Sequence, residues 1–353
     1  MKQQQVQALT DTVQRNCHIS DARHGGDYSL CVYLMKMREY YRWEKHLPFN
    51  AALQKDALGD WLAAREELWE LLADEELSPV DIAGECFDPF DAEAINARLA
   101  PEGLVYSSGL GNQAKPHFFL GDLERVAVNG DCSVYVSAEE YARDLTAPPA
   151  MSLGKTIFLR RESLRRMLWE KLESWRWSRP DNALGRAFAC YAFDTDFETA
   201  LDAMTDREID NALLHERGEH QAGFLLGDAA WGEMLLDLAQ TPAELMARAV
   251  RDHLADCLVT LPHLLERVDD AGQPAALHFY IGNLTNMRKS IFPSLAGAYE
   301  RWRLDADLVN LRRLAECGRD HWLALGTAML DLYRRQGADA AQPIRELVSA
   351  RHL

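Results

Sequence analysis

No pair of cysteines in this 353-residue chain has CxxC spacing, although seven cysteines are present, at 17, 31, 86, 132, 190, 257 and 317. An odd, scattered set speaks against a disulfide scaffold and against a zinc ribbon. It fits a reduced compartment, with most thiols acting as small core residues. No apolar run approaches the ~18 residues that span a bilayer. The opening "MKQQQVQALTDTVQRN" is polar and has no signal-peptide apolar region. A cytoplasmic setting without membrane insertion is therefore expected. Basic charge is also scarce: 38 Lys and Arg stand against 55 Asp and Glu, a formal net charge of −17. Such a surface repels phosphate backbones and anionic lipid, so neither nucleic acid nor membrane is expected as a partner. "RRESLRRM" is the one basic run. Nucleotide loops, nucleophile elbows and HExxH are missing too.

What is present is helical periodicity. Residues 4–16, 28–46, 50–76 and most of the chain from 162 onward carry apolar residues at helix spacing. "SPVDIAGECF" reads as the start of a short helix, with Ser78 as cap and Pro79 in its first turn. Alternation is confined to "HFFLGDLERVAVNGDCSVYVSA" and "KTIFLRR", with Asn129-Gly130 as a hairpin turn and a Pro- and Gly-rich loop at 146–154. The expectation is a mainly α protein: one largely helical, bundle-like domain, a small β-hairpin insertion near 116–160, and a possible sub-boundary near 178.

Four groups of polar side chains stand in apolar surroundings. The first is the helix of residues 28–46, apolar nearly all round, which predicts a buried central helix with Leu34 in the core. Glu39 and Arg42 lie on one side of it. Buried charges are usually paired, so a salt bridge of Glu39 with Arg42 or Arg38 is the plainer explanation. The functional one makes Glu39 a base or ligand facing a polar cavity, with Arg42 beside it as the second catalytic candidate. This helix is entered through "CHISDARHGGD". There Asp21 and His24 share a face, and Gly-Gly allows a ligand to approach the backbone.

The second group is "NALLHERGEHQAGFLL". Ile209, Ala212, Leu213 and Phe224 define an apolar arc; Glu216 and His220 fall within it and Glu219 on its edge, whereas His215 lies further round. Residues four apart are neighbours on a helix, a spacing that suits two ligands of one ion. In the third, "ARAVRDHLADCLVTLPHLLERV", His253 borders the apolar stripe and Asp252 and Asp256 sit four apart on the opposite face; that face reads as solvated, or else it meets the other helices and His253 and Asp256 join a shared site. The fourth, "HFYIGNLTNMRKSIFPSL", offers Tyr280, Asn283 and Arg288, with Pro293 as a kink. If Glu39 and Glu216 met in one cavity, they would need a cation, a shared proton, or Arg38 or Arg42.

The runs "ISDARHGGDYSLCVYLMKMREYYRWEK", "LLHERGE" and "RDHLADCLVTLPHLL" resemble an uncharacterised bacterial family of unknown function. The resemblance covers most of the chain and implies no activity.

Two functions follow as expectations. One is a helical metalloprotein, in the narrower form a non-haem iron oxidoreductase acting on a small molecule. His24, Glu216, Glu219, His220, His253 and Asp256 would supply the ligands of an iron, manganese or zinc ion. The alternative is a cofactor-free binding or scaffold protein whose aromatic residues hold a protein partner.

Overall fold

The computed structural model describes every residue except Gly130, Asp131 and Gly272, with the backbone alone for residues 129 and 269–271. The chain divides into two compact units, Met1–Trp169 and Glu170–Leu353.

The first unit opens with α1 (Gln3–His24), α2 (Leu30–Glu44) and α3 (Lys55–Leu72). Next come β1 (Val80–Ile82), β2 (Glu85–Phe87) and α4 (Ala92–Leu99). The strands β3 (Leu104–Leu110), β4 (Pro116–Asn129), β5 (Cys132–Arg143), β6 (Ala150–Leu153) and β7 (Thr156–Arg160) complete it. They form one mixed sheet in the order β3-β4-β5-β7-β6. All its pairings are antiparallel except β5 with β7. α1 lays Leu9, Val13 and Cys17 against Phe118, Phe119 and Leu120 of β4 to make the core.

This α/β architecture overturns the mainly α expectation. Strand structure starts at Val80, well before 116, and is a five-stranded sheet plus a separate ribbon rather than a small hairpin. Two physical reasons account for the miss. The first five residues of β3 are all buried, so its sequence shows no alternation. "SPVDIAGECF" is a two-residue hairpin and not a helix: Ile82 pairs with Glu85 across Ala83 and Gly84, at φ 57° and 91°. Two successive positive φ values mark the turn whose twist matches paired strands. Part of the expected loop 146–154 is itself β6. The Asn129-Gly130 turn lies partly outside the described residues, although Asn129 and Cys132 pair.

The helix α2 is also less enclosed than its composition predicts. Met37, Glu39, Tyr40, Arg42 and Trp43 are buried. Leu30, Val32 and Leu34 are exposed, Leu34 at 44%. An apolar side chain on a helix favours burial but does not ensure it.

α5 (Arg161–Ser178) leads into the second unit, in which every described element is helical. α6 (Ala183–Phe188), the long α7 (Phe197–Leu226), α8 (Asp228–Asp237) and α9 (Pro242–Ala255) follow. A π-helical turn, Asp256–Thr260, joins α9 to α10 (Leu261–Ala271). Pro262 explains it: proline has no N–H to give to the carbonyl four residues back and its ring crowds that carbonyl, so the preceding turn widens. α11 (Ala275–Asn283), α12 (Asn286–Ile291), α13 (Pro293–Asp305), α14 (Val309–Gln336) and α15 (Ala341–Ser349) close the unit. Trp231, Leu254, Leu261, Trp322 and Met329 lie at its core. Among the described residues no helix is long and apolar enough to cross a membrane.

Candidate functional site

In the second unit α7 passes close to the junction of α9 with the π turn. Gly218 permits this: a Cβ there would lie 2.3 Å from the carbonyl oxygen of Ala255. Three and one residues from Gly218 stand His215 and Glu219, four apart on α7. Opposite them are Asp252 and Asp256, likewise four apart. A helix turns about 100° per residue, so each pair shares a face. The crossing brings the two faces together. One ligand atom each of His215, Glu219 and Asp252 lies within 4.8 Å of the others.

Asp256 is fully buried and holds this group from behind. His215 Nδ1–H donates to its Oδ1 at 2.8 Å, and the Tyr280 hydroxyl donates to its Oδ2 at 2.9 Å. Arg288 of α12 donates to the same oxygen. Burial opposes ionisation of Asp256, but the Arg288 and His215 charges outweigh it and hold the carboxyl below the usual range. His215 is pulled the other way. Burial would lower its pKa, yet the charge and hydrogen bond of Asp256 raise it to about 10. Its Nδ1 is committed, which leaves Nε2 as the atom able to meet a ligand.

Glu219 is held differently. Arg251 Nε stands 2.6 Å from its Oε2, and Arg251 Nη2 reaches Asp228 Oδ1 at 2.9 Å. The other oxygen, Oε1, is buried with no hydrogen-bond partner among the described residues. Burial raises the Glu219 pKa to about 7; Arg251 opposes the rise and Asp252 adds to it. An unsatisfied carboxylate oxygen beside a second carboxylate and an imidazole is an unfinished arrangement. It can take a cation, or pass a proton near neutral pH.

Of the residues expected from sequence, Glu219 and Asp256 belong to this group. Glu216, one residue off the face, is buried elsewhere on α7, and His220 is half-exposed about 100° round the helix from Glu219. His253 is a core residue. Its Nε2–H donates to the Arg288 carbonyl at 3.0 Å, its ring stacks on Trp322, and burial lowers its pKa to about 3. His24 belongs to the first unit, where its Nδ1 pairs with Asp27 at 2.9 Å.

Glu39 and Arg42 are also in the first unit, in the plainer arrangement weighed above. Glu39 meets Arg38 at 3.1 Å and Arg42 at 3.2 Å. Arg42 also donates to the carbonyls of Phe49 and Ala51. Two further buried groups there were not legible as groups, because their members come from separate elements, although Asp21 itself stood out beside His24. Lys115 Nζ donates to Asp21 Oδ1 at 2.7 Å, and His117 Nδ1 to Asp144 Oδ2 at 3.0 Å. Arg160 clasps Glu140 with two bonds, of 3.1 and 2.9 Å, and Ser163 adds its N–H and hydroxyl.

His215 and Asp252 were the members that sequence reasoning set aside. The signal was there: His215 and Glu219 form an i, i+4 pair one residue out of frame from the pair chosen, and Asp252 and Asp256 form a second on the face read as solvated.

The molecule is thus an α/β chain whose helical C-terminal unit carries a half-open histidine–carboxylate group. Residues 8–160 match the N-terminal domain, and residues 165–351 the C-terminal domain, of a family of unknown function, DUF6866. The chain belongs to that family. Neither the curated proteins nor the solved structures contain a match to it.

Proposed function

We propose that the C-terminal unit is a divalent-metal site, with His215 Nε2, Glu219 and Asp252 as its donors and Asp256 orienting the imidazole. The observation that carries this reading is the convergence of the three ligand atoms within 4.8 Å. The partnerless Glu219 Oε1 supports it. A carboxylate behind a ligating histidine is the usual way such a ring is held. One histidine and two carboxylates suit manganese, iron or zinc. A metal there would polarise a bound oxygen atom of water or of a small substrate. Iron in this set makes the protein the oxidoreductase of the narrower reading. A cytoplasmic setting goes with the proposal, on the chain's cysteine use.

The alternative, a cofactor-free binding or scaffold protein, draws on Arg251 and Arg288. These cations, with His215⁺, already neutralise much of the carboxylate charge. Metal analysis separates the two. Protein stripped of metal and reloaded with manganese, iron or zinc is assayed by mass spectrometry, with visible absorption and dioxygen uptake for the iron form. The metal reading expects about one equivalent in the wild type and in Glu216→Gln and His220→Ala, and loss of it in His215→Ala and Asp252→Asn. No stoichiometric uptake of any of the three metals overturns it in favour of the scaffold.

A further inference from the structure

A second feature of the C-terminal unit lies away from the histidine–carboxylate group. A cavity of about 340 Å³ is lined by Cys190 and Tyr191, by Arg207 of α7 and Arg267 of α10, and by Gln273 and Ala275 at the start of α11. That volume is within the range that holds a small organic molecule.

Both arginines are half-buried, and neither has a carboxylate bonded to it among the described residues. Among the described residues Arg267 donates only to the neutral Asn211 Oδ1, at 3.1 Å. Arg207 makes no hydrogen bond or ion pair among the described residues. This is unusual in a chain of net charge −17, where acidic partners are abundant. The nearby carboxylate, Glu208, does not supply the missing charge. Its Oε2 accepts from Asn211 Nδ2 at 3.1 Å, and its Oε1 is buried without a partner among the described residues. Burial raises its pKa to about 8, against the pull of Asn211, Arg207 and Arg267, so it is largely protonated at neutral pH. The cavity also lies where α11 begins, and that helix has no side-chain cap. Its first N–H groups and the Gln273 amide are further donors.

We infer that this cavity binds a small organic anion, with Arg207 and Arg267 gripping a carboxylate or phosphate group and Tyr191 packing against the body of the molecule. Two guanidinium forks match either oxyanion in a bidentate way. The apolar edges at Tyr191 and Ala275 favour an anion with an organic part over a bare inorganic one. This inference does not depend on the metal reading.

The probes are inorganic phosphate, phenyl phosphate and benzoate, titrated in phosphate-free, low-salt buffer. Binding is read as a saturable rise in melting temperature. Phenyl phosphate alone marks a phosphate site; benzoate marks a carboxylate site. Arg207→Gln and Arg267→Gln should each weaken the effective anion at least tenfold, whereas the exposed Arg345→Gln should not. An arginine kept for binding should not be missed by the fold, so Arg207→Gln without anion should melt no lower than wild type.

A second measurement uses the unaltered protein. Cys190 lines the cavity, while Cys31, Cys86 and Cys317 are exposed elsewhere. The bound anion should slow alkylation of Cys190 at least threefold and leave the other three unchanged. The inference is overturned if none of the probes gives a saturable shift and none protects Cys190. It is equally overturned if the shift survives both arginine substitutions.

Discussion

The Glu140 group of the N-terminal unit and the Glu219 group of the C-terminal unit are both carboxylates held among arginines, yet they differ in completeness. Glu140 has its two oxygens bonded by Arg160 and Ser163, and it is 2% exposed. Burial alone would raise its pKa, but Arg160 and Arg143 carry it below the ordinary value. Glu219 has one oxygen against Arg251, the other bare, and a second carboxylate facing it. Its pKa is raised. A buried charge does not by itself mark a site. Like charges left side by side, with an oxygen unmet, are the better sign, because the fold gains nothing from holding them so.

The strongest way to break this contrast is Glu140→Gln. It strips the partner from buried Arg160 and should cost about 3–5 kcal/mol in urea unfolding, without altering metal content. A loss below about 1 kcal/mol would place Glu140 in the same class as Glu219. Gly218→Ala probes the other side. The added methyl meets the Ala255 carbonyl and must push α7 from α9, an expected loss of about 1–3 kcal/mol. Because the same crossing aligns His215 and Glu219 with Asp252, metal uptake should fall with it. Uptake at wild-type strength in a destabilised Gly218→Ala protein would show that the crossing does not set the ligand geometry.

Glu208 sharpens the comparison through pH. Its folded pKa is about 8, against about 4.3 in an unfolded chain. Between those values the native state holds a proton that the unfolded state has lost. Glu208 therefore favours the fold fully below about pH 4.3, and that benefit is lost as pH rises towards 8. Glu208→Gln cannot ionise, so its stability measured from pH 5 to 8.5 should decline less steeply than that of wild type. Parallel profiles would mean that Glu208 is ionised in the fold. The smallest effect belongs to Leu34→Asp. With Leu34 44% exposed, the change should stay within about 0.5 kcal/mol. A collapse of the melting temperature would restore the buried central helix that composition suggests.

What the sequence made legible follows from what periodicity can carry. Helices such as α3 and α7 announce themselves by spacing. The i, i+4 ligand pairs on α7 and α9 were visible as well. Centring the face on Glu216 and His220, with Glu219 only at its edge and His215 left out, shifted the frame by one residue and so turned the chosen face by about 100°. The arc used to orient α7 took in Phe224, which proves 86% exposed. Ala212 and Leu213, which set the same arc, are only half-buried. β3 was hidden because burial on both faces erases alternation, and β1–β2 because Pro79 at a helix-like start disguised a turn at Ala83-Gly84. The pairing of Lys115 with Asp21 spans 94 residues, a distance over which no local pattern speaks.

That last span has a consequence in time. Asp21, on the first helix, accepts hydrogen bonds from Lys115 and from the backbone of Leu145, 94 and 124 residues further along. The late strand β7 then inserts between β5 and β6, parallel to one and antiparallel to the other. During synthesis α1 therefore leaves the ribosome long before anything exists for it to pack on, and Asp21 stays hydrated until the sheet arrives. Contacts of such long sequence separation slow folding. The N-terminal unit should accordingly mature as a single late event, close to the completion of β7, and nascent chains ending before residue 160 should remain open to protease along α1.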